Sequence, residues 1–181
     1  MPRIPAPHDW GTFNVEPFGE YRTRWPKTYN NIPDAVIETW VYRHWREFQA
    51  WLPLRPLEWK YELNEFTSQE VLNVGHVGDW MKTLAYWGDD LLDGPTRKTT
   101  WLGNFMIETG TTPSPMIIAR EAGRWHHPRE HGRCMQEPLQ LIEGHMRLAY
   151  LRALILRSHS SVQPVHLVVL ATLPPAAPSD A

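Results

Sequence analysis

Within five positions the chain places Glu143, Gly144, His145 and Arg147, residue types that handle phosphate, protons or metal ions. A carboxylate can ligate a cation or accept a proton, an imidazole changes charge near neutral pH, and a guanidinium grips two phosphate oxygens at once. Around them, residues 139–153 read LQLIEGHMRLAYLRA. Leu139 to Ile142 is a short apolar run suited to a buried strand, and Glu143-Gly144-His145 is a tight turn. From Met146 onward, apolar residues at 148, 151, 154 and 155 keep the spacing of one helix face. A strand that turns through glycine into a helix gathers free N–H groups and the positive dipole end at one point, which suits an anion. The same residues also fit an ordinary strand–helix junction with polar groups at its exposed rim.

If a phosphate sits at that helix start, the backbone N–H groups of the Gly144-His145 turn and Arg147 would hold it. Glu143 then conflicts with it, because a second negative charge at ~4 Å repels by about 1 kcal/mol in water and by more in a cleft. A Mg²⁺ ion ligated by Glu143, or a role for Glu143 as base toward an attacking water, removes the conflict. His145 is expected to stay neutral, since the helix dipole disfavours a cation at its N-terminus. The plainer alternative has Glu143 capping the helix and His145 solvated in the turn.

The elements that must position these groups can be read from pattern. At 181 residues the chain fits one domain with a substantial core. Its formal charge of -2 advertises no global field for nucleic acid, so any such site must be local. A single cysteine, Cys134, excludes an intramolecular disulfide framework and fits a reducing compartment. The start, MPRIPAPHDWG, lacks the apolar core of a signal peptide, and no apolar run approaches the ~20 residues that span a bilayer. Most of the ten Trp are expected in the core or in groove walls, with a base-stacking platform as the functional alternative.

Residues 1–30, rich in Pro and Gly, are expected to form an extended arm pinned by Trp10, Phe13, Phe18, Tyr21 and Trp25. Asn31 offers a cap and Pro33 a first-turn proline. From Val36 to Leu52 a 3.6-residue period predicts a continuous helix ended by Pro53. Residues 31–95 as a whole are expected to be a helical elaboration, with a strand within residues 54–66, where Trp59, Tyr61 and Leu63 alternate weakly. A capping box at Thr67 and Glu70 starts a short helix, and Asp79 caps another through Trp80, Leu84 and Trp87. A helix from about Thr96 uses Leu102, Phe105 and Met106 and stops at Gly110. Pro115 to Arg120 and Val165 to Leu170 read as strands. Between the strands, Glu121 to Pro138 is irregular and dense in Arg and His, and its few apolar residues predict a mobile, phosphate-contacting loop. Its His126, His127 and His131 are unevenly spaced for a zinc site. The tail from Pro174 is expected to be disordered.

The order helix-Gly, PMIIAR strand, loop, LQLIEG strand, HMRLAYLRAL helix, PVHLVVL strand, from Met106 to Val169, resembles the N-terminal domain of ParB proteins, which shares its fold with sulfiredoxin. The resemblance implies an α+β domain, a small mixed sheet with packed helices over residues 96–173. It implies Gly144, His145 and Arg147 as phosphate-binding, joined by Arg120 and Arg124 from the neighbouring strand and loop. Glu143, His145 and Arg147 would be catalytic, Glu143 and Glu121 would hold Mg²⁺ or another divalent cation, and ATP would be ligand or substrate. Met146 stands where many nuclease-like relatives carry a second His, which implies slow DNase chemistry. His145 occupies the position of sulfiredoxin's reactive Cys, and Cys134 lies elsewhere, which argues against sulfiredoxin activity.

As a whole the Trp-rich chain also resembles the oncogenic-suppression fertility-inhibition factors of conjugative plasmids. This implies a cytoplasmic bacterial ATPase and DNase, with nucleotide and DNA as partners, that blocks type IV secretion of DNA. A secretion coupling protein or the transfer nucleoprotein complex would be its target. The rival expectation is a non-catalytic interaction protein that inhibits by docking.

Overall fold

Strands with two buried faces need cover on both sides, and the inner part of this sheet receives it from two different layers. The computed structural model describes residues 4–174, so the expectation for the tail beyond Pro174 lies outside the described residues. The sheet is built from β1 (Lys60–Thr67), β2 (Met116–Arg120), β3 (Leu139–Glu143) and β4 (Val165–Thr172), in the order β1-β4-β2-β3. The β1–β4 and β2–β3 pairs are antiparallel, and β2 and β4 run parallel. The architecture is therefore α+β with a mixed sheet. The segment expected to be a helical elaboration supplies β1, one of the sheet's edge strands.

One face of the sheet (Met116, Ile118, Leu141, Val168, Leu170) packs against helices α4 (Ser68–Leu72), α5 (Trp80–Leu92), α6 (Trp101–Thr109) and α7 (His145–Leu156). Leu148, Leu151 and Leu154 of α7 are completely buried there, as the helical spacing predicts. The other face (Ile117, Ala119, Ile142, Val169, Ala171) is covered by an aromatic layer including Tyr21, Trp25, Trp40, Phe48, Trp51 and Trp59. Their rings meet at tilted or edge-to-face angles, such as Trp40 with Phe48 at 4.9 Å and 87°, the arrangement their quadrupoles favour.

The N-terminal residues depart from a simple arm. They form a short helix, α1 (Phe18–Thr23), with Tyr21 and Trp25 buried while Phe13 stays fully exposed. Glu16 is buried where His8 and Arg24 donate to it, which ties the arm down.

The continuous helix expected from Val36 to Leu52 is broken. It consists of α2 (Asp34–Val36), a wider π-turn segment over Ile37–Tyr42, α3 (Trp45–Gln49) and a 3-10 turn over Leu52–Leu54. Pro33 precedes the first helical residue, and no side chain caps it, Asn31 included. The π segment spaces residues more widely than 3.6 per turn. It buries Ile37, Trp40 and Val41 together on the sheet.

Elsewhere the local signals hold. Thr67 and Glu70 form the reciprocal capping box of α4. The left-handed Gly110 ends α6, although that helix starts at Trp101 behind a Thr100 cap instead of at Thr96. Asp79 does precede α5, but its carboxylate meets Lys82 and makes no cap bond.

Helices α5 and α7 touch closely at Gly88, where an added Cβ would lie 2.6 Å from the Ala149 oxygen and 2.8 Å from Ala153 Cβ. Gly88→Ala should therefore lower stability by about 1–3 kcal/mol, the usual cost of overpacking, despite alanine's better helix propensity. Urea unfolding of both proteins measures this, and an unchanged or higher midpoint would refute the close packing.

Candidate functional site

Strand β3 ends at Glu143, Gly144 makes the turn, and α7 begins at His145. Gly144 has φ of 107°, and a Cβ there would come within 2.9 Å of Met116 Cγ, so only glycine fits. This corner forms the floor of a cavity of about 780 Å³. One wall carries Trp80 and Trp87 of α5, Trp101 and Leu102 of α6, and His76. Glu38, Trp40, Arg43, His44, Glu47 and Trp51 line it as well, and the long loop adds His127, Arg129 and Glu130. Ser114, Glu143, His145 and Arg147 line it from below.

The structure thus brings Glu143, Gly144, His145 and Arg147 together at one cavity. It does not bring the other expected residues there. In the antiparallel β2–β3 register Glu143 lies beside Ile117, whereas Arg120 faces Leu139 at the far end of the pair. Arg120 donates to Thr172 Oγ1 at 2.9 Å and reaches Glu62 at 3.3 Å. Glu121 follows Arg120 at that same far end, and Arg124 is exposed in the loop beyond it. Arg120, Glu121 and Arg124, expected beside Glu143 as phosphate and cation ligands, are therefore not among the residues that line this cavity. Among the described residues, no group of three or more His, Cys, Asp or Glu side chains is arranged to hold a metal ion.

Arg147 also differs from a phosphate-facing arginine. It is buried, and Nη1 donates to the Ser114 oxygen at 2.9 Å and the Pro115 oxygen at 2.8 Å, while Nη2 pairs with Glu143. Both charges of the motif are consumed by each other and by the backbone. The exposed cations at the cavity are Arg43, which pairs with Glu38 at 2.7 Å, and Arg129, whose side chain has no ion-pair partner among the described residues.

Beside the corner stands a cluster of three imidazoles that spacing did not reveal. Gly75 bonds across to β3, its N–H to the Leu139 oxygen and its own oxygen to the Leu141 N–H, both at 2.9 Å. That pairing delivers the next residue, His76, alongside the strand end. His76 Nε2 lies 3.1 Å from His145 Nε2, and the His127 ring packs 5.1 Å from the His76 ring. Trp80 lies over His145 at 4.9 Å, and Trp51 meets His127 edge-on at 4.9 Å. The only sequence cue for His76 is its bracketing by Gly75 and Gly78.

Burial disfavours charge on all three rings. It lowers His76, and together with the neighbouring imidazoles it pushes His127 down to about 4 and His145 down to about 3. His145 is neutral as expected, but desolvation, not the helix dipole, is the main cause. Ala122, His127 and Met135 are buried, and Gly123 N–H is held by the Glu137 carboxylate.

No protein-family model matches the chain, and no curated protein or solved structure matches it.

Neutral buried histidines make stability depend on pH with a definite sign. Above the ordinary imidazole value of 6.5 the rings are neutral folded and unfolded, and their contribution is at its full size. As pH falls below 6.5 the unfolded chain takes up protons that the folded chain refuses until about 4 at His127 and about 3 at His145. Stability should drop by up to about 1.4 kcal/mol per pH unit for each ring. His127→Phe, which keeps an edge-on ring at Trp51, should flatten the fall between pH 6.5 and 5. Urea midpoints across that range test this, and equal slopes would count against a buried neutral His127.

The ion pair yields a second expectation. Removing one member of a buried pair typically costs about 3–5 kcal/mol, because the other is left uncompensated. Arg147→Ala should therefore unfold at markedly lower denaturant, whereas Arg124→Ala, in an exposed loop position, should unfold within about 0.5 kcal/mol of the wild type. Equal losses in both variants would contradict the assignment of Arg147 to the fold's interior.

Proposed function

We propose that the chain is a ParB/sulfiredoxin-type α+β protein whose cavity binds a nucleotide or a DNA phosphodiester and hydrolyses a phosphoester. The observation that carries this reading is the convergence on one cavity of a glycine-opened helix N-terminus, neutral imidazoles, exposed arginines and tryptophan walls. Free N–H groups at the start of α7 suit a phosphate. Arg43 and Arg129 at the cavity can meet its charge without breaking a buried pair. Trp101 is 71% exposed and stacks on Phe105, and an exposed indole at a cavity rim is a surface for a base. The parallel placement of β2 and β4, with β3 and α7 between them in sequence, accords with the family order.

In the cell this reading makes the protein a bacterial cytoplasmic ATPase and DNase acting as a plasmid fertility-inhibition factor, blocking type IV secretion of DNA. One observation favours a second reading, that it inhibits by binding alone to a secretion coupling protein or the transfer complex. The carboxylate expected to do chemistry, Glu143, is neutralised by Arg147. Phosphate release from ATP and nicking of plasmid DNA by the purified protein, each with and without divalent metal, separate the two.

The site assignment has its own test. Trp101→Ala should weaken ATP binding by roughly 1–3 kcal/mol, the range for one stacked base. Arg129→Ala should weaken it by roughly 1.5–3 kcal/mol, the range for a hydrogen bond to a charged group. Calorimetric titration supplies both numbers, and unchanged affinity in both variants would remove the nucleotide from this cavity.

A further inference from the structure

The hydrogens on the paired imidazoles can be assigned from their partners. His76 Nδ1 lies 3.2 Å from the Val77 backbone oxygen. A carbonyl oxygen only accepts, so this nitrogen carries the hydrogen. A neutral imidazole has one N–H, so His76 Nε2 holds a lone pair. His145 Nε2 faces that lone pair at 3.1 Å and must supply the hydrogen between them. His145 Nδ1 is then the nitrogen left as an acceptor. Both rings line the cavity, and His76 is 4% exposed, so water does not compete for its ring.

We propose that His76 is a positioning residue that holds His145 in the Nε2–H tautomer, leaving His145 Nδ1 to take the proton of the water that attacks a bound phosphoester. The proposal rests on the phosphoester reading above. In the step, the water oxygen forms a bond to phosphorus while the bond from phosphorus to the leaving oxygen breaks. The water's proton passes to His145 Nδ1, and the leaving oxygen takes a proton from solvent. The resulting imidazolium returns its proton to solvent when product departs, so no other co-reactant is consumed.

Glu143 is the competing base, and its geometry argues against it. One carboxylate oxygen is engaged by Arg147, and the other lies 3.6 Å from His44 Nε2. Drawing a proton onto Glu143 would strand the buried guanidinium of Arg147. Burial also opposes a cation on the imidazole, but a bound phosphate's negative charge would offset it, whereas nothing replaces the partner that Arg147 would lose. The design resembles the general arrangement in which a second group fixes which nitrogen of a histidine is free to react.

Nitrogen-15 NMR of histidine side chains, through two-bond correlations to the ring protons, reads each tautomer directly in the full chain without any substrate. His76 should report as Nδ1–H and His145 as Nε2–H. In His76→Leu, His145 should lose its single tautomer and phosphoester turnover should fall by roughly 10²-fold or more, the scale of general base catalysis. In His76→Gln, whose amide oxygen can accept from His145 Nε2–H, tautomer and turnover should largely return. Thermal melts of the two variants show that each is folded. His145 as Nδ1–H in the wild type, or a leucine variant with unchanged tautomer and turnover, would overturn the proposal. Correct tautomers in a wild type that turns over no phosphoester would instead overturn the reading beneath it.

Discussion

The guanidinium of Arg147 is the fixed point from which the rest of this corner is built. Its donors reach the backbone just before β2, at Ser114 and Pro115, and the carboxylate at the end of β3, while its own backbone lies in the first turn of α7. Three chain segments are thus tied through one side chain. A buried guanidinium is tolerable only when its hydrogens are satisfied and its charge is matched, and both conditions are met by residues of the protein. The positions of His145 and of the cavity floor follow from that tie.

The same interaction separates what the amino-acid sequence made legible from what it hid. Local chemistry was readable: the apolar runs of β2, β3 and β4, the box at Thr67 and Glu70, the stop at Gly110, and the glycine turn into α7. Each depends on neighbours within a few positions. What failed depends on distant partners. Arg120 and Glu121 were expected at the cavity because they end a neighbouring strand, but β2 and β3 are antiparallel, so their ends with polar residues point opposite ways. Arg147 has the right type and spacing for phosphate, yet which acceptors surround it is decided by the approach of Ser114, more than thirty positions away. His76 carries no motif at all, and only the pairing of Gly75 with β3 brings it to His145.

The broken helix from Asp34 to Gln49 teaches a related lesson about period. Apolar residues there recur at nearly helical intervals, but the surface they must cover is a twisted sheet face, and Trp40 has to meet Phe48, Trp51 and Trp59 at once. A regular helix would carry its stripe straight past that face. Widening to π geometry over Ile37–Tyr42 and turning again before Trp45 keeps the large rings on the sheet and leaves Arg43 and His44 exposed at the cavity. Propensity set the type of element, and packing set its shape.

These constraints combine into an unusual electrostatic setting. The cavity's innermost charges, Glu143 and Arg147, cancel, its imidazoles are neutral, and its walls are indole rings, so little fixed charge lies deep within it. Charge of both signs sits nearer solvent: Arg129 has no ion-pair partner among the described residues, Arg43 pairs with Glu38, and the carboxylates of Glu47 and Glu130 line the cavity as well. A ligand that suits this setting has a flat, weakly polar part for the indole rings and an anionic part for Arg129 and the α7 N-terminus. A small inorganic anion satisfies only the second demand, and an apolar ring only the first. The proposed nucleotide satisfies both, and in that reading the tryptophans count as much as the motif residues.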